Sequence, residues 1–182
     1  ARVVAVGNVG GAVRNPKGLD IGRLFEHAPG RDDPVAGFPG GEAISNGELL
    51  ALDVDVLVPA AVERAVTREN AGSVRARCVI EGANDPVTAE AEETLVSRGT
   101  VVLPDFFCNS GGVIASYIEW RNGRSGNQTD REEVFEFIDA KIARTFDALE
   151  GIRKSGAMSY REAATLLSLR ELIEAMRERN WL

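Results

Sequence analysis

The polar segment Asn109-Ser110-Gly111-Gly112 carries the residues best suited to binding chemistry. It follows an apolar run that ends at Leu103 and then the pair Pro104-Asp105, which predicts a buried strand ending where irregular backbone begins. In an open α/β sheet, ligands bind in the crevice beyond the carboxyl ends of the strands. The segment then enters a helical pattern whose first backbone amides can face an anion. These features indicate a site for a charged small molecule.

Gly112, Val113 and Ser116 are predicted to share one face of the helix that follows. Ser116 comes three residues after Val113 and four after Gly112, and these spacings place side chains together on a helix. One apolar side chain and one hydroxyl would therefore project side by side. Each candidate also has an ordinary explanation: Asn109 can bond its own loop, Val113 can pack in a core, and Ser116 can be a neutral helix residue.

Two further predicted strands end in small or polar residues. Residues 53–59 alternate between polar and apolar side chains and then become apolar before Ala60-Ala61. Residues 78–80 form an apolar run shortly before Ala83-Asn84. Strands alternating with helices predict parallel βαβ units and a doubly wound α/β sheet. Because the carboxyl ends of parallel strands meet at one edge, both pairs and Asn109 are expected to converge on a small-molecule cleft.

Residues 109–113, Asn-Ser-Gly-Gly-Val, resemble the Asn-Ala-Gly-Gly-Val segment of glutamate dehydrogenases, in the superfamily that also includes leucine, phenylalanine and valine dehydrogenases. The similarity covers nearly the whole chain and is most specific between residues 37 and 120. Further matching segments are Gly37-Phe38-Pro39-Gly40, Pro59-Ala60-Ala61, Thr67-Arg68-Glu69-Asn70-Ala71 and Glu81-Gly82-Ala83-Asn84. The resemblance implies a Rossmann-like domain that binds NAD or NADP.

The resemblance also implies a role for each candidate residue. The expected cofactor contacts at the strand ends are Ala60, Ala61, Ala83, Asn84 and Asn109, and the expected substrate contacts are Gly112, Val113 and Ser116. Asn84 would contact the nicotinamide ribose and Asn109 the nicotinamide end. The Ser116 hydroxyl would hydrogen-bond the side-chain carboxylate of glutamate.

The amino-terminal run Val3-Val4-Ala5-Val6 predicts a buried strand that leads into a glycine-rich turn over residues 7–11. As a phosphate loop this turn lacks the full G-x-G-x-x-G pattern, and Asn15-Pro16 breaks the helix that should follow. We favour the alternative, in which residues 1–21 resemble the family's second Rossmann strand and the loop after it. The first βα unit and the substrate domain, with its catalytic lysine and aspartate, are then expected upstream, so no catalytic residue is assigned in this chain.

Asn8 and Val9, at the end of that strand, are expected to contact the cofactor near the adenosine ribose. The family often has an aspartate at the position of Asn8, and an acidic residue there repels a 2′-phosphate. An amide carries no charge, which predicts relaxed discrimination between NAD and NADP. Arg14, six residues on, is a candidate partner for a 2′-phosphate, although an exposed loop arginine is usually just solvated.

Composition bounds the remaining possibilities. The chain has 182 residues, 44% hydrophobic residues and a formal charge of -7, which predict a soluble cytoplasmic domain and argue against nucleic acid or an anionic membrane as partner. No segment approaches the ~20 apolar residues of a membrane span. Two separated cysteines, Cys78 and Cys108, and the single histidine His27 provide no ligand set for structural zinc and no base for a cysteine or serine nucleophile.

The predicted organisation is a partial Rossmann domain over residues 1–128 and carboxy-terminal helices over residues 129–182. Residues 122–128 read as a linker, and Thr129 with Glu132 predicts a capping box for a helix ending near Leu149, with Gly151 and Gly156 interrupting. Further helix starts are predicted at Asp20, at Ser45 with Glu48, at Thr88, and at Ser159 with Glu162.

The predicted function is the cofactor-binding part of a glutamate dehydrogenase, a homo-oligomer and by resemblance a hexamer, that converts glutamate to 2-oxoglutarate and ammonia. One alternative is a leucine, phenylalanine or valine dehydrogenase, but an apolar substrate would leave the Ser116 hydroxyl without a partner. The other is a non-catalytic binding or assembly module, for which the departure from the fingerprint at Gly7 to Gly10 is the supporting feature.

Overall fold

The computed structural model describes residues 1–30 and 32–182. The strands are β1 (Ala5–Asn8), β2 (Gly11–Arg14), β3 (Glu42–Ile44), β4 (Val56–Leu57), β5 (Cys78–Ile80) and β6 (Val101–Leu103). The α-helices are α1 (Ile21–His27), α2 (Asn46–Leu50), α3 (Ala89–Ser97), α4 (Asp105–Cys108), α5 (Ser110–Ser125), α6 (Arg131–Gly156) and α7 (Tyr160–Glu178).

Strands β4, β5 and β6 form a parallel sheet in that order. Leu57 pairs with Val79, which pairs with Val102 on the other side, so three buried apolar residues lie in one row across the sheet. This arrangement confirms the predicted Rossmann-like α/β class with a parallel sheet. Strand β4 is shorter than the predicted residues 53–59, since only Val56 and Leu57 pair with a neighbouring strand.

The amino-terminal strand belongs to a second sheet, in which β1, β2 and β3 are antiparallel. The prediction of a loop after the first strand is therefore wrong for residues 11–14, which turn back and pair with β1. Gly11 makes the tight reversal possible because its φ of +114° is open to glycine but not to residues with a Cβ. Ala12 and Val13 are fully buried, and this burial stabilises the hairpin.

Helix α3 covers the parallel sheet through an apolar face. Its Ala91 and Leu95 are fully buried and cluster with Val79 and Val102 of the strands. The helix begins where the sequence predicts, because the Thr88 side chain accepts a hydrogen bond from the backbone of Ala91. The predicted caps at Asp20, at Ser45 with Glu48, and at Ser159 with Glu162 are also confirmed.

The carboxy-terminal helices are longer than predicted. Helix α5 continues to Ser125 and ends at Gly126 in a left-handed conformation, so the predicted linker over residues 122–128 is wrong for its first half. Asp130, rather than Thr129, caps α6 by accepting from the backbone of Glu133. Asp and Thr are both good caps, and the sequence places them side by side.

Helix α6 runs uninterrupted through Gly151 to Gly156, contrary to the predicted break. A helical glycine destabilises by about 1 kcal/mol relative to alanine, and packing offsets this. Leu149 of α6 is buried against Ala163 and Ala164 of α7 and against Phe107 of α4. Within the described ranges, the helices are too short or too polar to cross a bilayer.

Candidate functional site at the strand ends

Asn84 and Asn109 meet directly at the carboxyl end of the parallel sheet. Asn84 follows β5, and Asn109 lies at the junction between α4 and α5; the Asn109 Nδ2 donates to Asn84 Oδ1 at 2.8 Å. The backbone of Asn109 is also anchored, since its N–H donates to the Asp105 carbonyl at 2.8 Å. The asparagine pair thus joins the segment after β5 to the α4–α5 junction, 25 residues later in the sequence.

The segment after β4 packs against the segment after β5. The Pro59 carbonyl accepts from the backbone N–H groups of Gly82 at 3.1 Å and Ala83 at 3.0 Å. A Cβ on Gly82 would lie 2.9 Å from the Ala60 Cβ, so glycine is what permits this close approach. We call the surface formed by Ala60, Gly82, Ala83 and the asparagine pair, with the adjoining Ala61, the strand-end site. These contacts bring together Ala60, Ala83, Asn84 and Asn109, while their role in cofactor binding, and that of Ala61, stays a prediction.

Replacing Gly82 with alanine is expected to lower the free energy of unfolding by about 1 to 3 kcal/mol, because the new methyl group overpacks against Ala60. Urea unfolding followed by circular dichroism measures the change. The matched control is Gly123→Ala in α5, where no neighbour lies within 4 Å of the added carbon. This control should be neutral or stabilising by up to about 1 kcal/mol. Equal effects of the two substitutions would contradict the close approach at Gly82.

The substrate candidates form an open face of α5. Val113 is 69% exposed, Ser116 is exposed, and no neighbour lies within 4 Å of the position that a Cβ on Gly112 would occupy. The Ser116 hydroxyl donates to the Gly112 carbonyl one turn earlier, at 3.1 Å. Ser116 lies about 10 Å from Asn109 along the helix axis, given a rise of ~1.5 Å per residue. This spacing is suitable for a small substrate lying between the asparagine pair and the hydroxyl.

Asn8 and Val9 lie at the tip of the β1–β2 hairpin, in the other sheet. The Asn8 Nδ2 donates to the Asp33 carbonyl at 2.6 Å, and its Oδ1 accepts from the Gly10 N–H at 2.9 Å. Among the described residues no hydrogen bond joins Asn8 or Val9 to the strand-end site. Arg14 pairs with Ala5, at the opposite end of the hairpin from Asn8. The Cα atoms of the two residues are therefore about 10 Å apart along the strand direction, which does not support Arg14 as the partner of a phosphate beside Asn8.

Sequence reasoning missed an ionic cluster beneath the strand-end site. The Arg161 Nη2 contacts both carboxylate oxygens of Glu81, at 2.8 and 2.7 Å, and the Arg161 Nε donates to Glu92. The Arg161 Nη1 reaches Asp105 Oδ1 at 3.4 Å. Glu81 is fully buried. An available signal was this carboxylate immediately after a buried strand, since a buried carboxylate requires a cationic or hydrogen-bonding partner.

Burial raises the pKa of Glu81 above its ordinary value, and the Arg161 guanidinium offsets part of that shift. Burial also acts to raise the pKa of Asp105, but hydrogen bonds from the backbone of Asp85 and Phe106, together with Arg161, outweigh it and leave the pKa lowered. The Cys108 thiol donates to the Leu103 carbonyl at 3.5 Å, and burial raises its pKa to about 11. Cys108 is therefore a protonated thiol at neutral pH and a poor nucleophile.

Comparison with known proteins finds that the chain is similar to amino-acid dehydrogenases in both sequence and structure. Residues 1–180 match the Glutamate/Leucine/Phenylalanine/Valine dehydrogenase family model. The chain is 37% identical to the NADP-specific glutamate dehydrogenase of Saccharolobus shibatae, over 100% of this chain and 43% of that protein. The hetero-hexameric glutamate dehydrogenase of Thermus thermophilus in its Leu-bound form is 34% identical with a TM-score of 0.83, covering 98% of this chain and 42% of that one.

The glutamate dehydrogenase of Peptoniphilus asaccharolyticus is also similar, at 26% identity and a TM-score of 0.80. That alignment covers 100% of this chain and 42% of the other. The chain thus spans less than half the length of the relatives that it matches.

Proposed function

The chain belongs to the glutamate/leucine/phenylalanine/valine dehydrogenase family, and from this premise we propose that it is the NAD(P)-binding part of a glutamate dehydrogenase. The whole protein would convert glutamate to 2-oxoglutarate and ammonia, and the bound nicotinamide would supply the hydride acceptor. The observation that carries the proposal is the hydrogen bond between Asn84 and Asn109 at the end of a parallel sheet.

The strand-end site fits a nicotinamide ribose. Ala60 and Ala61 are small and exposed, and Gly82 offers no side chain, so a flat ring can approach the backbone. The bond within the asparagine pair uses the Nδ2 of Asn109 and the Oδ1 of Asn84. This leaves the Asn84 Nδ2 as a donor group and the Asn109 Oδ1 as an acceptor. The two groups match the carbonyl and amino ends of a carboxamide and also suit ribose hydroxyls.

The open face of α5 fits the substrate side of such a site. We assign Gly112 and Val113 to contacts with the carbon chain of glutamate and the Ser116 hydroxyl to its side-chain carboxylate. The hydroxyl rotates freely enough to leave the Gly112 carbonyl and donate to a carboxylate instead, because a hydrogen bond to a charged acceptor is the stronger of the two.

For the cofactor, we propose that NADP is accepted alongside NAD. The similar protein of Saccharolobus shibatae is NADP-specific, and Asn8 carries no charge to repel a 2′-phosphate. Asn8 and Val9 are assigned to the adenosine side. The Asn8 amide is already bonded to the Asp33 carbonyl, so we expect it to tolerate the phosphate rather than to bind it.

For the assembly, we propose a homo-oligomer of the whole protein, with a hexamer as the first candidate since the similar Thermus thermophilus enzyme is hetero-hexameric. A cytoplasmic location is proposed with it, and the two free cysteines suit a reducing compartment.

Asn109→Ala is expected to weaken binding of NADH and NADPH by the full-length protein about 3- to 10-fold, because one hydrogen bond to the cofactor and the support of Asn84 are both lost. Titration of the intrinsic fluorescence of the reduced cofactors measures the dissociation constants. The control is Asn127→Ala, in the exposed turn before α6, which should leave both constants unchanged. If the unaltered protein binds neither cofactor at millimolar concentration, the non-catalytic module becomes the better explanation.

A further inference from the structure

Arg161 joins three parts of the fold that are far apart in sequence. The residue lies at the start of α7, and its guanidinium contacts Glu81 after β5, Glu92 on α3 and Asp105 at the start of α4. Three carboxylates therefore share a single cation. The planar guanidinium can serve them together because its N–H groups point in several fixed directions.

Asp105 links this cluster to both members of the asparagine pair. Its Oδ2 accepts from the Asp85 N–H at 2.8 Å, and Asp85 directly follows Asn84. Its carbonyl accepts from the Asn109 N–H at 2.8 Å. Its own N–H donates to Glu81 Oε2 at 2.8 Å, which ties it to the carboxylate that Arg161 holds.

The contact with Asp85 is significant because that residue adopts an unusual backbone conformation. Its φ is +45°, in the left-handed region that favours glycine, and such a turn persists only where neighbouring groups hold it. The Asp105 carboxylate is one such group, and Arg161 fixes the orientation of that carboxylate. The backbone conformation at Asp85 therefore determines the position of the neighbouring Asn84 Cα, from which the Asn84 side chain projects.

We propose that Arg161 is a positioning residue for the asparagine pair, acting through Asp105 to set the separation of Asn84 and Asn109. The inference rests on the proposed function insofar as the pair faces a nicotinamide. Arg161 itself is not assigned a contact with cofactor or substrate. Because Arg161 lies on α7, the carboxy-terminal helix contributes to the geometry of the strand-end site.

The test uses Arg161→Lys in the full-length protein. Lysine keeps the positive charge, but its single ammonium cannot hold Glu81 with two contacts and also reach Asp105. Affinity for NADH and NADPH is expected to fall about 3- to 10-fold, as for the loss of one well-placed hydrogen bond. Affinity for ADP and 2′,5′-ADP, which lack the nicotinamide half, is expected to stay unchanged. The control is Arg170→Lys, at an exposed position on the same helix. This substitution should change neither the affinity for NADH and NADPH nor the affinity for ADP and 2′,5′-ADP.

Amide hydrogen exchange provides a readout that needs no cofactor. In Arg161→Lys, the backbone N–H groups of Asp85 and Asp105 should exchange at least about 10-fold faster, while those of α3 stay protected. Unchanged exchange at both amides, or equal loss of affinity for NADH and ADP, overturns the positioning role. Should Arg161→Lys fail to fold, Asp105→Asn breaks the same link and is judged by the same measurements. If the unaltered protein binds none of these nucleotides, the proposed function falls, and amide exchange alone decides whether Arg161 holds the pair.

Discussion

Arg161→Met is expected to lower the free energy of unfolding by about 3 to 5 kcal/mol. Methionine has a similar length but no charge, so the fully buried Glu81 loses its cation, and Glu92 and Asp105 lose a shared partner. The larger part of the effect is the uncompensated charge that remains, rather than the strength of the original ion pairs. Urea unfolding of the full-length protein at pH 8 measures it.

The loss of stability in Arg161→Met should be smaller at acidic pH than at alkaline pH. The pKa of Glu81 is already raised by burial, and without Arg161 it rises further. A group with a raised pKa in the folded state favours folding while it is protonated, and this contribution is lost as the pH rises through that pKa. The deficit of Arg161→Met relative to the unaltered protein should therefore be smaller at pH 5.5 than at pH 8.

Two further variants separate the buried cluster from an ordinary ion pair. Arg77→Met removes the exposed pair with Asp55 and should change stability by less than about 1 kcal/mol. In the double variant Glu81→Gln with Arg161→Met, no charge is left at the Glu81 position and the amide oxygen can still accept from the Asp105 N–H, so part of the lost stability should return. If Arg161→Met lowers the free energy of unfolding no more than Arg77→Met does, the Arg161 cluster behaves as an exposed ion pair and the expected cost of a buried charge is contradicted.

The parts of the fold that were predictable from the sequence are those set by local chemistry. The strands at residues 78–80 and 101–103 are short apolar runs bounded by polar residues, and both were located correctly. The Ser45 and Ser159 caps depend on a glutamate three residues later, which is visible in the sequence. The convergence of Ala60, Asn84 and Asn109 needed only chain order and the rule that parallel strands end at one edge.

The parts that were missed depend on contacts distant in sequence or on backbone angles. Arg161 lies 80 residues from Glu81, and a helical arginine followed by a glutamate reads as an ordinary solvated charge until the two elements are placed together. The hairpin at residues 11–14 depends on the left-handed Gly11, which also fits a loop. The left-handed backbone of Asp85, with a φ of +45°, is a conformation that glycine adopts most readily, and the aspartate in the sequence does not reveal it.

Ser116→Ala is expected to lower kcat/KM for glutamate about 10- to 100-fold, the effect of losing a hydrogen bond to a charged group. In the proposed site the hydroxyl leaves the Gly112 carbonyl and donates to the substrate's side-chain carboxylate. Alanine fills the same space on an exposed helix face and raises helix propensity, so folding should be preserved. The oxidation of glutamate by the full-length protein with NAD and with NADP measures the change.

The matched control is Ser110→Ala, six residues earlier, which restores the residue that the family usually has there. The Ser110 hydroxyl donates to the Phe107 carbonyl at 2.7 Å within its own turn, so its removal should change kcat/KM by less than about 3-fold. Leucine as substrate provides the second comparison, since an apolar side chain gains nothing from the Ser116 hydroxyl. Equal losses for glutamate and leucine would make Ser116 a general support of the helix. An unaltered protein that prefers leucine would place the chain in the branch of the family for apolar substrates, and Ser116→Ala would then leave its activity unchanged or improved.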